Sequence, residues 1–184
     1  LPSPTLSDVD NDGSLEITTL EQFDENPTNV YLMDYAGYDL PQWPKSIQGY
    51  YSPVVSADFN NDGMQDLLMA STSQNRDLNK IHAWNAEGAE IPGVQKFVGG
   101  AIGNLASPAV FDIDGDGKLE LIASISREYD WEKKTDKNQA SIYAWDLDAL
   151  ASSKPAWPTS QHDSQHTGNY CGEDTDCTID IQTR

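Results

Sequence analysis

The 184-residue chain has few basic residues, with 11 Lys and Arg against 30 Asp and Glu and a formal net charge of −19. This excess of negative charge repels phosphates and anionic headgroups, so it disfavours nucleic acid and membrane surfaces and favours cations as partners. No apolar run approaches the roughly 18–20 residues of a membrane-spanning helix, and we therefore expect no membrane insertion. Hydrophobic residues are nevertheless 38% of the chain, which is typical of a folded protein.

Cysteine is also scarce, and the two cysteines lie close together at Cys171 and Cys177. Their five intervening residues do not fit common zinc-binding pairs. We expect a local disulfide that pins only this tail, in agreement with an oxidising exterior. The sequence opens on Leu1 rather than Met and shows no signal peptide, so we expect either N-terminal processing or a piece of a longer protein.

The acidic residues concentrate in three segments of one pattern. Residues 8–16, 58–66 and 112–120 all fit D-x-[DN]-x-D-G-x-x-[DE], and their starts lie 50 and 54 residues apart. A Ser-Pro pair precedes each segment and a β-rich run follows it. A further β-rich run recurs later in each unit, while no stretch shows a sustained helical period. Each unit therefore predicts about four short strands.

A repeat of about 50 residues with four strands has the size of one β-propeller blade. We predict an all-β fold in which each blade has about four antiparallel strands, with three blades present as a partial propeller. A stacked β-solenoid is the alternative, although its coils are usually shorter. The predicted blades are 1–50, 51–105 and 106–170, each with an acidic loop, and residues 171–184 form a C-terminal tail.

The acidic segments have the chemistry of calcium sites. Side chains at positions 1, 3, 5 and 9 and the backbone carbonyl at position 7 can supply the hard oxygens that Ca²⁺ prefers. The segments contain no Cys or His, which disfavours Zn²⁺. Position 12 lies in a β-like run and offers no bidentate Glu, so these are not EF-hands. The predicted ligands are Asp8, Asp10, Asp12, Ser14 and Glu16, then Asp58, Asn60, Asp62, Met64 and Asp66, then Asp112, Asp114, Asp116, Lys118 and Glu120.

The alternative interpretation is that Asp, Asn and Gly simply make good turns. Three segments in register, each with four ligand-type side chains, favour up to three Ca²⁺ ions instead. The second segment has Asn60 where the others have Asp, so it offers three carboxylates rather than four. We predict that it is the weakest site.

The pattern Ser-Pro-x-x-x-Asp-x-Asp-x-Asp-Gly-x-x-Glu followed by a β-run resembles the FG-GAP/VCBS repeat. That repeat builds the seven-bladed propeller of integrin α-subunits and many bacterial secreted or surface proteins, and residues 157–168 look like the final blade of bacterial members. The resemblance implies a calcium-stabilised propeller in adhesion, ligand binding or scaffolding, with an extracellular, cell-surface or periplasmic location. Three blades are too few to close a propeller, so we expect the remaining blades of a longer parent chain as partners.

The longest connection between second and third strands, residues 127–139, is the candidate binding loop for an unknown protein or glycan ligand. It carries aromatic and basic side chains in a chain that has few bases. A solvated hairpin extension is the alternative. The residues of interest are Arg127, Glu128, Tyr129, Trp131, Lys133 and Lys134.

We expect structural roles for four tryptophans and two histidines. We expect Trp84 and Trp145 in the core, and Trp43 and Trp157 between blades, with sugar stacking as the alternative. His162 and His166 are four residues apart, but no helical pattern surrounds them, and we expect them to be structural too.

No Ser/His/Asp arrangement and no Gly-rich phosphate loop stands out in the sequence. We therefore predict a non-enzymatic, calcium-binding propeller region that acts in extracellular adhesion or ligand recognition. Two alternatives remain open, namely the propeller portion of a polysaccharide-processing enzyme such as a lyase, and a purely structural spacer.

Overall fold

The protein folds almost entirely as short antiparallel strands. The structure, a computed structural model, describes residues 3–21, 27–72, 79–94, 97–98, 107–125, 129–130, 133, 135–136, 141–153, 155–160 and 162. The strands are β1 (Thr5–Ser7), β2 (Glu16–Glu21), β3 (Thr28–Met33), β4 (Lys45–Ile47), β5 (Tyr50–Tyr51), β6 (Val55–Ala57), β7 (Asp66–Thr72), β8 (Asn79–Trp84), β9 (Phe97–Val98), β10 (Ala109–Phe111), β11 (Lys118–Ile125), β12 (Tyr129–Asp130), β13 (Thr135–Asp136) and β14 (Ser141–Leu150). One 3-10 turn, Ala151–Ser153, follows β14.

Three antiparallel sheets hold most of these strands in chain order. The first sheet runs β1-β2-β3-β4, and the third runs β10-β11-β14. In the second sheet β7 pairs with both β5 and β6 on one side and with β8 on the other, and β9 follows β8. Each acidic segment connects two paired antiparallel strands of its sheet, as the sequence predicts. These pairs are β1 and β2, β6 and β7, and β10 and β11. The short strands β12 and β13 pair with each other between β11 and β14.

The alternation of side chains along the strands sets how the sheets stack. In β2 and β3 every second residue is buried, so the first sheet is covered fully on one face only. In the second sheet β7 is buried at all seven positions, which places that sheet between two neighbours. The first and second sheets share a core that includes Leu32 and Met69. The second and third sheets share another that includes Leu68 and Leu121.

Burial of these apolar side chains is the main stabilising term of the fold. Eleven large side chains are less than 2% exposed, and each such burial contributes on the order of 1.5–3 kcal/mol before conformational entropy is subtracted. The sheets are blades of a partial β-propeller, which confirms the predicted fold class.

Trp43, Trp84 and Trp157 are buried between sheets, as the sequence predicts. Trp145, which we also expect in the core, is only half-buried against it. The Trp43 indole N–H donates to the carbonyl of Ala86 at 2.7 Å, and its ring meets Trp84 edge-on at 6.1 Å. Trp157 is 3% exposed and exchanges two backbone hydrogen bonds with Ser56 of β6, at 2.9 and 3.1 Å. The next carbonyl, of Pro158, accepts from Val110 of β10. Residues 156–158 therefore join β6 of the second sheet to β10 of the third.

In the part of the chain that the structure describes, the third sheet has three strands, whereas the first has four and the second has five. In the first sheet, Trp43 and Pro44 lead into the fourth strand β4. The matching Trp157 and Pro158 pair with β6 and β10 instead, so the backbone groups that could start a fourth strand are used elsewhere.

Candidate metal centres

The three acidic loops, residues 8–16, 58–66 and 112–120, share one backbone hydrogen-bond pattern. The Asp at position 1 accepts from the amide of the Gly at position 6, at 3.0, 3.0 and 3.1 Å in chain order. The Asp at position 5 accepts from the amide at position 7, at 2.7, 2.8 and 2.8 Å. The acid at position 9 accepts from the amide at position 2, at 2.9, 2.8 and 2.6 Å. Each loop is thus curled around its own carboxylates.

Two positions in every loop have left-handed backbone conformations. The glycines at position 6 have φ values of 88, 88 and 89°, as the sequence predicts for a sharp turn. Position 4 also has positive φ, at 60° in Asn11, 61° in Asn61 and 80° in Gly115. The left-handed conformation at position 4 was not predicted from the sequence, although Asn and Gly are the residues that tolerate it best.

The loops bring together different numbers of carboxylates. In the third loop Asp112, Asp114, Asp116 and Glu120 each place one oxygen within 4.8 Å of the others. In the first loop Asp8, Asp10 and Glu16 do so, and Asp12 is outside the group. These two groups contain seven of the predicted ligands.

The second loop forms no group of three acids within the described residues. The side-chain amide of Asn60 donates to Asp62 Oδ2 at 2.8 Å, so a neutral side chain stands where the other loops have a second carboxylate. The Asp62 amide in turn donates to Asn60 Oδ1 and Asp58 Oδ1. The ranking of this loop as the weakest site stays a prediction.

The position-7 residues Ser14, Met64 and Lys118 lie in the loops, where their amides donate to the aspartate at position 5. The role of their carbonyls as calcium ligands stays a prediction.

The acids at position 9 of the three loops are all buried. Glu16 and Glu120 are 3% exposed and Asp66 is 1% exposed. Burial raises the pKa of Asp66 to about 7, and the nearby Asp62 and Asp58 act in the same direction. Burial also raises the pKa of Glu16, to which Asp10, Asp8 and Asp12 add. In the bare protein Asp66 and Glu16 therefore favour a proton or another cation.

Two of these acids have a buried oxygen that lacks a hydrogen bond. Asp66 Oδ2 and Glu120 Oε2 accept loop amides, whereas Asp66 Oδ1 and Glu120 Oε1 are buried and meet no hydrogen-bond donor in the described ranges. A buried oxygen without a partner is costly. A Ca²⁺ ion would supply that partner, since it binds carboxylate oxygens in tolerant geometries. The donor set therefore fits calcium.

Most of the other residues singled out in the sequence lie outside the part of the chain that the structure describes. Of the 127–139 connection the structure describes the β12–β13 pair and Lys133, and Arg127, Glu128, Trp131 and Lys134 lie outside the described residues. The same holds for His166, Cys171 and Cys177. His162 meets the Trp157 ring edge-on at 5.0 Å, which agrees with a structural role. No helix within the described part of the chain is long and apolar enough to cross a membrane.

Stacked antiparallel blades, each with an acidic loop between two of its strands, define a propeller-type repeat protein. The model of the FG-GAP-like repeat matches the chain over residues 8–69 and 58–123, which together make up more than half of it. The chain belongs to the FG-GAP-like repeat family.

The comparison with solved structures finds a likeness to the V. cholerae biofilm matrix protein Bap1, at 17% sequence identity and a TM-score of 0.47. It covers 86% of this chain and 30% of Bap1, so the chain spans less than a third of that protein. No curated protein sequence matches the chain significantly.

Proposed function

We propose that this chain is a calcium-binding propeller region, non-catalytic, that acts outside the cell in adhesion or ligand recognition. The observation that carries the calcium assignment is the pair of buried oxygens, Asp66 Oδ1 and Glu120 Oε1, which meet no donor in the described protein. Both belong to position 9 of their loops, and in the third loop Glu120 lies within a group of four converging carboxylates. Membership in the FG-GAP-like repeat family supports the same assignment.

The calcium ions would act on the fold rather than on a substrate. Each loop joins the first two strands of its blade, so an ion bound there would hold those strands at a fixed spacing. Three bound ions would reduce the net negative charge of the chain, from −19 to −13. A calcium-dependent blade surface is suited to extracellular conditions, where the ion is abundant.

The proposed ligand is a protein or glycan, and the 127–139 connection is the proposed contact. In a blade whose strands alternate in direction, this connection lies at the end opposite the acidic loops. Its aromatic and basic side chains would stack on or pair with a ligand without competing for the metal.

A binding screen against glycans and matrix proteins, with calcium and with EDTA, tests this function. We expect a ligand that binds only with calcium and that is lost in Trp131→Ala, while Tyr35→Ala, an exposed residue in another connection, binds normally. Binding that ignores calcium would contradict the coupling of metal and ligand. Absence of any ligand, together with intact calcium binding, would favour a structural spacer.

A further inference from the structure

The stacking of the blades repeats one pairing of faces. In each sheet, residues in register across the second and third strands form a front face, which points to the next sheet along the chain, and a back face, which points to the previous one. The front faces contain Thr18, Leu20, Val30 and Leu32 in the first sheet, Leu68, Ala70, Ile81 and Ala83 in the second, and Ile122, Ser124, Ile142 and Ala144 in the third.

The front face of the third sheet is open, whereas the first two are covered. Every front-face residue of the first and second sheets named above is at most 6% exposed. At the matching positions of the third sheet, Ile142 is 77% exposed and Ala144 is exposed. Phe111, on the same face of β10, is 36% exposed. Ile122 and Ser124 are half-buried. Three of the four front-face residues are thus still apolar, although no other sheet in the described structure covers them.

The back face of the first sheet is the complementary surface. The pair Leu67 and Trp84 packs the back of the second sheet against the first, and both residues are buried. The matching pair in the first sheet is Ile17 and Met33, in register with each other and only half-buried. Leu6 extends this row on β1. The described part of the chain therefore carries both halves of a blade-to-blade interface, and neither half has a partner within it.

We propose that two copies of this chain associate head to tail, with the front face of the third sheet of one copy against the back face of the first sheet of the other. The contact continues an interface that the molecule already uses twice, with apolar residues at the same repeat positions. Head-to-tail contacts close into a ring when the rotation between units permits. Two copies would supply six sheets, which is within the four to eight blades of closed propellers.

Sedimentation velocity of the calcium-loaded chain over a range of concentrations tests the proposal. We expect a dimer that Ile142→Lys on the front face or Ile17→Lys on the back face dissociates, because a lysine buried at either face would stay unpaired; the apparent dissociation constant should rise about tenfold or more. Thr19→Lys is a second back-face variant in case Ile17→Lys fails to fold. Tyr35→Lys, in an exposed turn, is the control that should dimerise normally.

Mixing the variants decides the geometry. Front-face and back-face variants that are each monomeric should form a dimer when mixed, because one intact front face then meets one intact back face. A mixture that stays monomeric would overturn the head-to-tail arrangement, and so would a dimer indifferent to Ile142→Lys. A wild-type chain that is monomeric at every concentration would also overturn the proposal, and would assign the front face to a following blade of a longer polypeptide.

Discussion

Asp66 and Glu120 occupy the same position of two acidic loops, and each satisfies only one of its two carboxylate oxygens within the described protein. Their burial is unfavourable in the bare chain, because a desolvated carboxylate without partners is costly. The same burial becomes favourable with a cation, since few waters compete for the oxygen. The stability of these two loops should therefore depend on a bound metal ion, although their Asp, Asn and Gly residues also favour turns.

Glu120→Gln tests this dependence at a single side chain. The amide can still accept from Ile113 but offers no charge to a metal, so we expect calcium affinity at the third loop to fall about tenfold or more. Without calcium the variant should melt at or above the wild-type temperature. Calorimetric calcium titration and thermal melts measure both effects. Glu87→Gln, an exposed acid in another turn, is the matched control, and an equal loss there would contradict the site-specific argument.

His82 predicts a pH dependence that is independent of the metal loops. Burial lowers its pKa to about 4, with Lys80 adding to the effect and Glu90 opposing it. The unfolded chain binds the proton at a normal pKa near 6.5, so it is the unfolded state that gains protons first. The lowered pKa of His82 thus contributes at most about 3 kcal/mol to the free energy of unfolding. This stability is fully present above pH about 6.5 and is lost as the pH falls towards 4.

Urea unfolding of the wild type and His82→Gln between these pH values measures the contribution. For each protein we plot the free energy of unfolding against pH. Other acids titrate in both proteins, so the difference between the two slopes isolates His82. Glutamine can keep a hydrogen bond to Ser71, which His82 contacts at 2.8 Å. Parallel slopes would show that His82 titrates normally in the folded protein.

At the scale of the element, the second loop differs from its neighbours by one neutral side chain. Asn60→Asp would remove the amide that donates to Asp62 Oδ2 and add a fourth carboxylate. We expect tighter calcium binding at this loop and lower stability in EDTA, because four acids then repel one another without the ion. Calcium titration of the variant measures the affinity. The control is Asn85→Asp, which makes the same change in the turn after β8, where the first repeat has Asp34 at the matching position after β3. Unchanged affinity would contradict the prediction that loop charge sets the ranking.

The segment 156–158 joins two blades through few residues. Trp157→Ala removes a side chain that is 3% exposed and packs beside the bridge to Ser56, so we expect a loss of about 3–5 kcal/mol in the free energy of unfolding. Chemical denaturation measures it, with Tyr35→Ala expected within about 0.5 kcal/mol of wild type. Similar values for both variants would mean that the segment contributes little to blade packing.

Much of this element structure was predictable from the sequence because the same local signals recur three times. The Asp and Gly positions predict the loops, and the β-rich runs predict the strands that flank them. The course of residues 156–158 was not predictable, since Trp157 and Pro158 resemble Trp43 and Pro44 locally. Only the presence of free backbone groups on β6 and β10 decides where they pair, and those groups are more than 40 residues away in sequence.

On the scale of the whole molecule, the charge of −19 is concentrated where metal would neutralise it. EDTA should therefore lower the melting temperature, since an ion that binds only the folded state stabilises it by mass action. The melting temperatures in calcium and in EDTA should move closer together as the salt concentration rises from about 20 mM to about 500 mM, because salt screens the repulsion among the exposed acids. Differential scanning calorimetry measures both. A melting temperature indifferent to EDTA at low salt would contradict the calcium assignment.

Asn61 has a consequence that extends beyond its own loop. Its left-handed backbone belongs to the second acidic loop, while its side chain donates to the carbonyl of Asp148 and accepts from the amide of Leu150, both at 2.8 Å and both on β14 of the third sheet. A change of shape in the second loop must therefore either carry β14 with it or break two hydrogen bonds. Local opening of one blade is thus coupled to its neighbour, and the two sheets should protect their amides from exchange as one cooperative unit rather than as two independent repeats.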